Sequence, residues 1–180
     1  MGMAHSHPSG DPACAMAHGE LPADAEPRTL VTVFMSPVSD YLLHFGRDLG
    51  FKTVLLEPDS ERLAWGEWRN ADEVATIPRD DFIDRYTDIV VTDHDRPELG
   101  KTIDSLLRMQ YRWIGVMGSK RHAAPHVDAL RALRVPEYAI ARVHRPIGLN
   151  IGSKTPAEIA ISVLAGLIAD RNRRPGGHTF

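Results

Sequence analysis

Four short apolar runs recur along the chain: residues 30–34 (LVTVF), 53–56 (TVLL), 89–92 (IVVT) and 113–117 (WIGVM). Each is apolar or β-branched on both alternating positions, the pattern of a strand buried on both faces. The segments between and after them carry helical spacing instead. Leu42, Phe45 and Leu49 form one stripe, and Leu99, Ile103, Leu106 and Leu107 a second within residues 97–110. Val127, Leu130 and Leu133 form a third, and Ile161, Leu164, Ala165 and Ile168 a fourth at i, i+3, i+4, i+7 within residues 155–169. Gly50 closes the first helix where the left-handed backbone is cheapest. Strands with no polar face need helices on both sides, so the expected fold class is α/β: a Rossmann-like, doubly wound parallel sheet in one domain.

Residues 1–28 stand apart. They hold no aromatic residue and no hydrophobic period, and the expectation is a flexible leader ahead of a domain at residues 29–180. His5, His7, Cys14 and His18 lie in this leader, but their spacing matches no zinc pattern. One cysteine excludes an internal disulfide, no apolar run is long enough to span a bilayer, and no signal-peptide pattern opens the chain, so a cytoplasmic location is expected. The net charge of −3 argues against a nucleic-acid coat, yet it hides an asymmetry. Residues 1–99 carry 8 Lys or Arg against 19 Asp or Glu, and residues 100–180 carry 13 against 5. An anionic ligand is therefore expected in the second half.

In a doubly wound sheet ligands bind beyond the carboxyl ends of the strands. The first such turn reads Met35-Ser36-Pro37-Val38-Ser39-Asp40, without the glycines that let a backbone approach pyrophosphate, which argues against NAD(P). Ser36 and Pro37 make a self-sufficient helix start, with Asp40 adding a carboxylate that would repel phosphate. Glu57 holds the place of the ribose-binding acid at the second strand end. Gly118-Ser119-Lys120-Arg121 follows a strand and is expected to open a helix, so backbone N–H groups and two cations would converge as at a phosphate site. Gly115 and Gly118 are expected to relax the backbone where a ligand approaches. Residues 144–155 add His144, Arg145, Gly148, Asn150, Gly152 and Lys154 ahead of the capping box Thr155-Pro156-Ala157-Glu158. His94, between Asp93 and Asp95, has the surroundings of a general base or metal ligand, whereas Asp95 and Arg96 fit a helix cap and its charge partner. No triad order, HExxH, Walker sequence or CxxC pair occurs, and no catalytic or metal-binding set is assigned.

Three stretches carry a family resemblance: Thr92-Asp93-His94-Asp95, residues 113–121, and Arg145-Pro146-Ile147-Gly148-Leu149-Asn150-Ile151-Gly152 followed by Thr155-Pro156-Ala157-Glu158-Ile159-Ala160. From about Thr29 to Arg171 the chain resembles the Rossmann domain of the XdhC/CoxI family, accessory proteins of molybdenum hydroxylases such as xanthine dehydrogenase and carbon monoxide dehydrogenase. The resemblance implies a non-catalytic maturation factor that binds molybdenum cofactor (molybdopterin), assists its sulfuration and delivers it to the apo-hydroxylase. Implied partners are a hydroxylase subunit and a cysteine desulfurase, with a homodimer as the assembly. The implied cofactor residues are Gly118, Ser119, Lys120, Arg121, Arg145, Gly148, Asn150 and Lys154, with His94 at the neighbouring strand end. The chain departs from the family at its first turn, commonly Gly-rich, and the separate cysteine-bearing N-terminal domain of many members is expected to be absent. The competing expectations are an NAD(P)-dependent oxidoreductase-like protein and a purely protein-docking Rossmann module.

Overall fold

A computed structural model describes residues 28–66, 70–119 and 124–177. Residues 1–27 of the expected leader, with its histidines and Cys14, and also Lys120 and Arg121, lie outside the described residues, while Arg28 belongs to the first strand. Five strands form one parallel sheet: β1 (Arg28–Val33), β2 (Phe51–Leu56), β3 (Glu73–Ala75), β4 (Thr87–Val91) and β5 (Trp113–Val116). Their spatial order is β3-β2-β1-β4-β5, so the chain winds outward from β1 in one direction and then returns to wind in the other. This is the Rossmann-like arrangement expected from the buried apolar runs. At the β5 edge His144 adds a parallel bridge to Gly115: its N–H donates to the Ile114 carbonyl at 3.0 Å, and its carbonyl accepts the Val116 N–H at 2.9 Å.

The helices are α1 (Pro37–Asp48), α2 (Ser60–Trp65), α3 (Leu99–Leu107), α4 (Pro125–Ala132), α5 (Glu137–Ile140) and α6 (Pro156–Arg171). Alternation along β1 sorts the core. Leu30 faces the α1/α6 layer with Leu42, Val90, Val163 and Leu167, while Val31 and Val33 face the α3/α4 layer with Val54, Ile89, Ile103 and Leu130. Each such fully buried aliphatic side chain contributes about 1.5–3 kcal/mol. Both expected N-terminal signals hold. Ser36 caps α1 with Pro37 in its first turn, and its reciprocal partner is Ser39. Thr155 and Glu158 form the capping box of α6 behind Pro156.

Two expectations need correction. The helix after β5 begins at Pro125, not at Ser119, and its N-cap residue Ala124 supplies no side-chain bond. Gly118 and Ser119 are therefore a strand exit, and the described helix start lies at Pro125 instead. On α6 the buried face is Ala160, Val163, Leu164 and Leu167, one step around from the expected stripe. Ile161, half exposed, Ala165 and Ile168 instead line an open groove with Phe45 of α1 and Leu49 just after it.

Candidate functional site

The strand order reverses between β1 and β4, and the crevice where doubly wound folds take their ligands lies beyond that pair. Here the chain fills it with its own side chains. Phe34 leaves β1 with φ +70°, fully buried, and the Arg96 guanidinium lies 4.8 Å above its ring centre. Arg96 is paired through Nη2 and Nη1 with the carboxylate of Glu57, at 2.9 and 3.1 Å. The same carboxylate accepts the N–H groups of Met35 at 2.8 Å and Asp59 at 3.0 Å. Glu57 has no exposed surface and four donors, which accounts for a carboxylate's acceptor capacity. It is thus a structural anchor, not a ribose ligand.

The remaining polar groups of that turn are also engaged. The Ser36 N–H donates to Ser39 Oγ at 2.8 Å, and the Ser39 N–H donates to Ser36 Oγ at 3.0 Å. Ser36 Oγ in turn meets Thr92 Oγ1 at 3.0 Å. Asp40 does not face this turn's donors; it accepts Asn70 Nδ2 at 2.7 Å. Asp95 does not cap α3, whose N-cap position is Glu98. Its N–H bonds Asp93 Oδ1, and Arg96 pairs with Glu57 and Glu98 instead.

Open space lies beyond β5. A cleft of about 570 Å³ is lined by Ser119, residues 146–153 and Ser162. The lining loop is docked on α6: the Leu149 N–H reaches the Ser162 carbonyl at 3.0 Å, and Ser162 Oγ donates to the Leu149 carbonyl at 2.7 Å. Gly148, at φ +84°, makes this approach possible, since a Cβ there would overlap Ser162 Oγ. Gly152, at φ +71° with open space around it, serves the turn. Asn150 is exposed on the cleft wall. Lys154 is exposed beside it in sequence, its N–H held by Glu158 Oε2 at 2.7 Å.

A second cavity, of about 620 Å³, shares Pro146 with the first and is lined by Arg145, His126, Val127, Ile140 and Val143 among others. The fold therefore groups Ser119, Gly148 and Asn150 on one cleft and turns Arg145 toward the other. His94 belongs to neither lining. It sits 3.8 Å from Asp95 Oδ1, and among the described residues no cluster of His, Cys, Asp and Glu is suited to a metal ion.

The glycines expected to admit a ligand also make room for neighbouring side chains. A Cβ at Gly115 would overlap the Trp113 ring and come within 2.5 Å of Ile147 Cγ2, and one at Gly118 would come within 2.5 Å of Arg145 Nη2. The freed space lets Trp113 fold over the sheet edge and stack on His144, ring centres 5.2 Å apart. His126 escaped sequence reasoning. A single histidine on a helix carries no signal of burial, yet this one is 2% exposed, and burial, with Arg145 and His94 nearby, pushes its imidazole below the ordinary value.

A doubly wound parallel sheet whose β1/β4 crevice holds Phe34, Arg96 and Glu57, with open loops at the β5 end, defines a Rossmann-type domain. The chain belongs to the XdhC Rossmann domain family, which matches residues 30–167. Among curated proteins it is similar to the uncharacterized protein YqeB of Escherichia coli (strain K12), with 39% identity over 94 residues, 52% of this chain and 17% of YqeB. Among solved structures it is similar to a protein of Bacillus halodurans described as a xanthine dehydrogenase (BH1974). That likeness has a TM-score of 0.65 at 24% identity, covers 95% of this chain and 55% of the other, and shows the fold. The chain thus spans under a fifth of its curated relative's length and about half of the solved chain. No helix among the described residues is long and apolar enough to cross a membrane.

Proposed function

We propose that this chain is a cytoplasmic accessory protein in the maturation of a molybdenum hydroxylase, of the xanthine dehydrogenase or carbon monoxide dehydrogenase type. In this reading it holds the phosphate-bearing pterin cofactor at the loops beyond β5 and presents it to the apo-enzyme. Membership of the XdhC Rossmann domain family supports the reading, as does the description of the Bacillus halodurans neighbour as a xanthine dehydrogenase. The observation that carries it is the contrast between strand ends: the β1/β4 crevice is filled by Phe34, Arg96 and Glu57, while the cleft bounded by Ser119, Gly148 and Asn150 stays open.

That cleft fits the group by its donors and its size. About 570 Å³ lies within the ~300–1,000 Å³ of small-molecule sites. The Asn150 amide and the hydroxyls of Ser119 and Ser153 border it, and Arg145 and Lys154 give its surroundings positive charge. Gly118, Ser119, Lys120, Arg121, Gly148 and Asn150 would hold the anionic end, and His94 would add polarity at the adjoining strand exit. The bound cofactor supplies the metal's redox chemistry to the hydroxylase; this chain's residues bind, orient and shield it. A cysteine desulfurase as sulfur donor and a homodimer as the carrier belong to the same proposal.

Calorimetric titration of the purified protein with molybdenum cofactor, NAD+ and NADP+ tests the reading. Saturable cofactor binding, weakened at least about tenfold in a Lys120→Ala/Arg121→Ala variant, is the expected result; each lost charge-assisted contact is worth ~1.5–3 kcal/mol. Tight NAD(P) binding with hydride transfer would overturn it. The docking-module reading is favoured by the apolar groove between α1 and α6, and predicts association with the hydroxylase subunit without cofactor binding.

A further inference from the structure

Helix α6 has no polar face. From Ile159 to Ala169 its only polar side chain is Ser162, which is buried and bonded to the Leu149 carbonyl. A helix that is apolar all round is normally covered on every side, and at 16 residues α6 falls short of a membrane span. Yet Ile161 is 50% exposed, and Ala165 and Ile168 line an open groove beside it. The other wall belongs to α1 and its end, where Phe45 and the 49% exposed Leu49 continue the apolar surface. Tyr41, 40% exposed, extends that wall by one turn, its ring centre 5.7 Å from that of Phe45. Single exposed apolar side chains are ordinary, but a contiguous set on two neighbouring helices marks a contact surface.

The pattern of that surface is its own complement. Tyr41, Phe45 and Leu49 stand at i, i+4 and i+8, with Phe45 at the midpoint. A two-fold axis passing Phe45 at right angles to α1 sets Tyr41 of one copy against Leu49 of the other. On α6 the same operation exchanges large Ile161 with small Ala165, so each isoleucine drops beside an alanine. Phe45, Ile161 and Ala165 line one groove, so a single axis serves both helices. The helices then run antiparallel across the contact, which aligns their dipoles favourably. The charges agree with this arrangement. Asp48, the one charged residue on the groove, comes level with the Tyr41 hydroxyl of the second copy, a donor for its carboxylate. Glu158, at the other end of the face, is turned back onto the Lys154 and Thr155 N–H groups and does not project into the contact.

We infer that the α1/α6 face joins two copies of this chain in a two-fold, antiparallel four-helix contact. Helices about 18 and 24 Å long and each ~10 Å wide present a footprint of roughly 400 Å² per copy. Such faces stand at the small end of specific interfaces, so the dimer is reversible, with Kd on the order of micromolar, rather than obligate. The inference deepens the homodimer included in the maturation reading, and rests on that reading for no more than the two-copy assembly. It also fixes where the two clefts lie. Each cleft loop leads into the N-terminal end of α6, so antiparallel packing places the loops at opposite ends of the dimer and leaves both open.

Sedimentation velocity of the full chain over a wide concentration range is the first measurement, and a reversible monomer–dimer equilibrium is the expected result. Ile161→Glu and, separately, Leu49→Glu put a carboxylate into the contact at positions half exposed in the single copy. Each should weaken association at least about tenfold while leaving the circular dichroism of the chain unchanged. Orientation is read by cysteine pairing in a Cys14→Ser background under oxidised glutathione. Tyr41→Cys mixed with Leu49→Cys should give an interchain disulfide. Either variant alone should not, because the two copies of one position lie about 12 Å apart along the helix. A chain that stays monomeric throughout would overturn the interface and leave the groove to another partner; saturable binding of molybdenum cofactor by that monomer would show that the maturation reading stands without it. A dimer that neither glutamate weakens would overturn the choice of surface, and pairing of Tyr41→Cys with itself would overturn the antiparallel two-fold.

Discussion

Glu57 receives four donors in a place sealed from solvent, and Arg96 receives one carboxylate and one aromatic face in the same place. A buried pair of this kind gives little net stability over a well-packed apolar pair, but removal of one partner strands the other's charge. Arg96→Met should therefore lower unfolding free energy by about 3–5 kcal/mol. The double variant Glu57→Gln/Arg96→Met should recover part of that loss, because Gln still accepts from Met35 or Asp59 without a net charge. Urea unfolding of the three proteins checks both statements; a double variant no more stable than the single would refute the charge argument. Gly115 offers a second test. Its Cα faces the Trp113 ring and Ile147 with no room for a methyl group, so Gly115→Ala should cost ~1–3 kcal/mol and disturb the near-UV signal of Trp113.

At the scale of elements, the sequence is most readable where a single physical demand decides the pattern. The four apolar runs all become strands because burial on both faces leaves no other assignment, and the Ser36-Pro37 and Thr155-Pro156 starts become caps because each supplies its own acceptor. Three elements pass unread. β3 is three residues long, α5 is four, and α2 buries none of its residues, so none of them leaves a period. α6 misleads in another way: it is apolar nearly all round, and periodicity alone cannot say which face meets α1 and β1 and which is left as a groove. The site divides along the same line. Loop residues Gly148 and Asn150 were visible as candidates, but the pairing of Glu57 with Arg96, 39 residues apart, has no local signature. The docking of the cleft loop on α6 is also a long-range fact, carried by Ser162. Ser162→Ala removes the bond to the Leu149 carbonyl and should cost about 1 kcal/mol. It should also speed amide exchange at Leu149 and Ile151 relative to the β1 core, measurable by hydrogen exchange.

Across the whole molecule, the open cavities sit at the carboxyl ends of the strands and a charge network built on one buried acid ties the opposite end together. Asp88, in the first half of β4 and 1% exposed, pairs with Arg112 just before β5, and Arg112 also bonds Asp170 near the end of α6 at 2.7 Å. One arginine from the basic half of the chain thus joins an acid from each half across the sheet and onto its last helix. Burial pushes the Asp88 carboxyl up to about 6, against the lowering effect of Arg112. Its ordinary value of 3.8 applies to the unfolded chain, so between about pH 4 and 6 the folded state holds the proton more tightly. Folding stability from this group is therefore greatest below pH 4 and falls as pH rises through about 6. Asp88→Asn keeps an acceptor for Arg112 but has nothing to titrate. The stability of the wild type relative to Asp88→Asn should accordingly decline from pH 4 to pH 7, by on the order of 2 kcal/mol. Urea unfolding at closely spaced pH values reads the difference directly. A relative stability that rises over that window would show that the Arg112 and Arg28 charges outweigh burial, and carboxyl NMR of Asp88 in the folded protein would then find it titrating below 3.8.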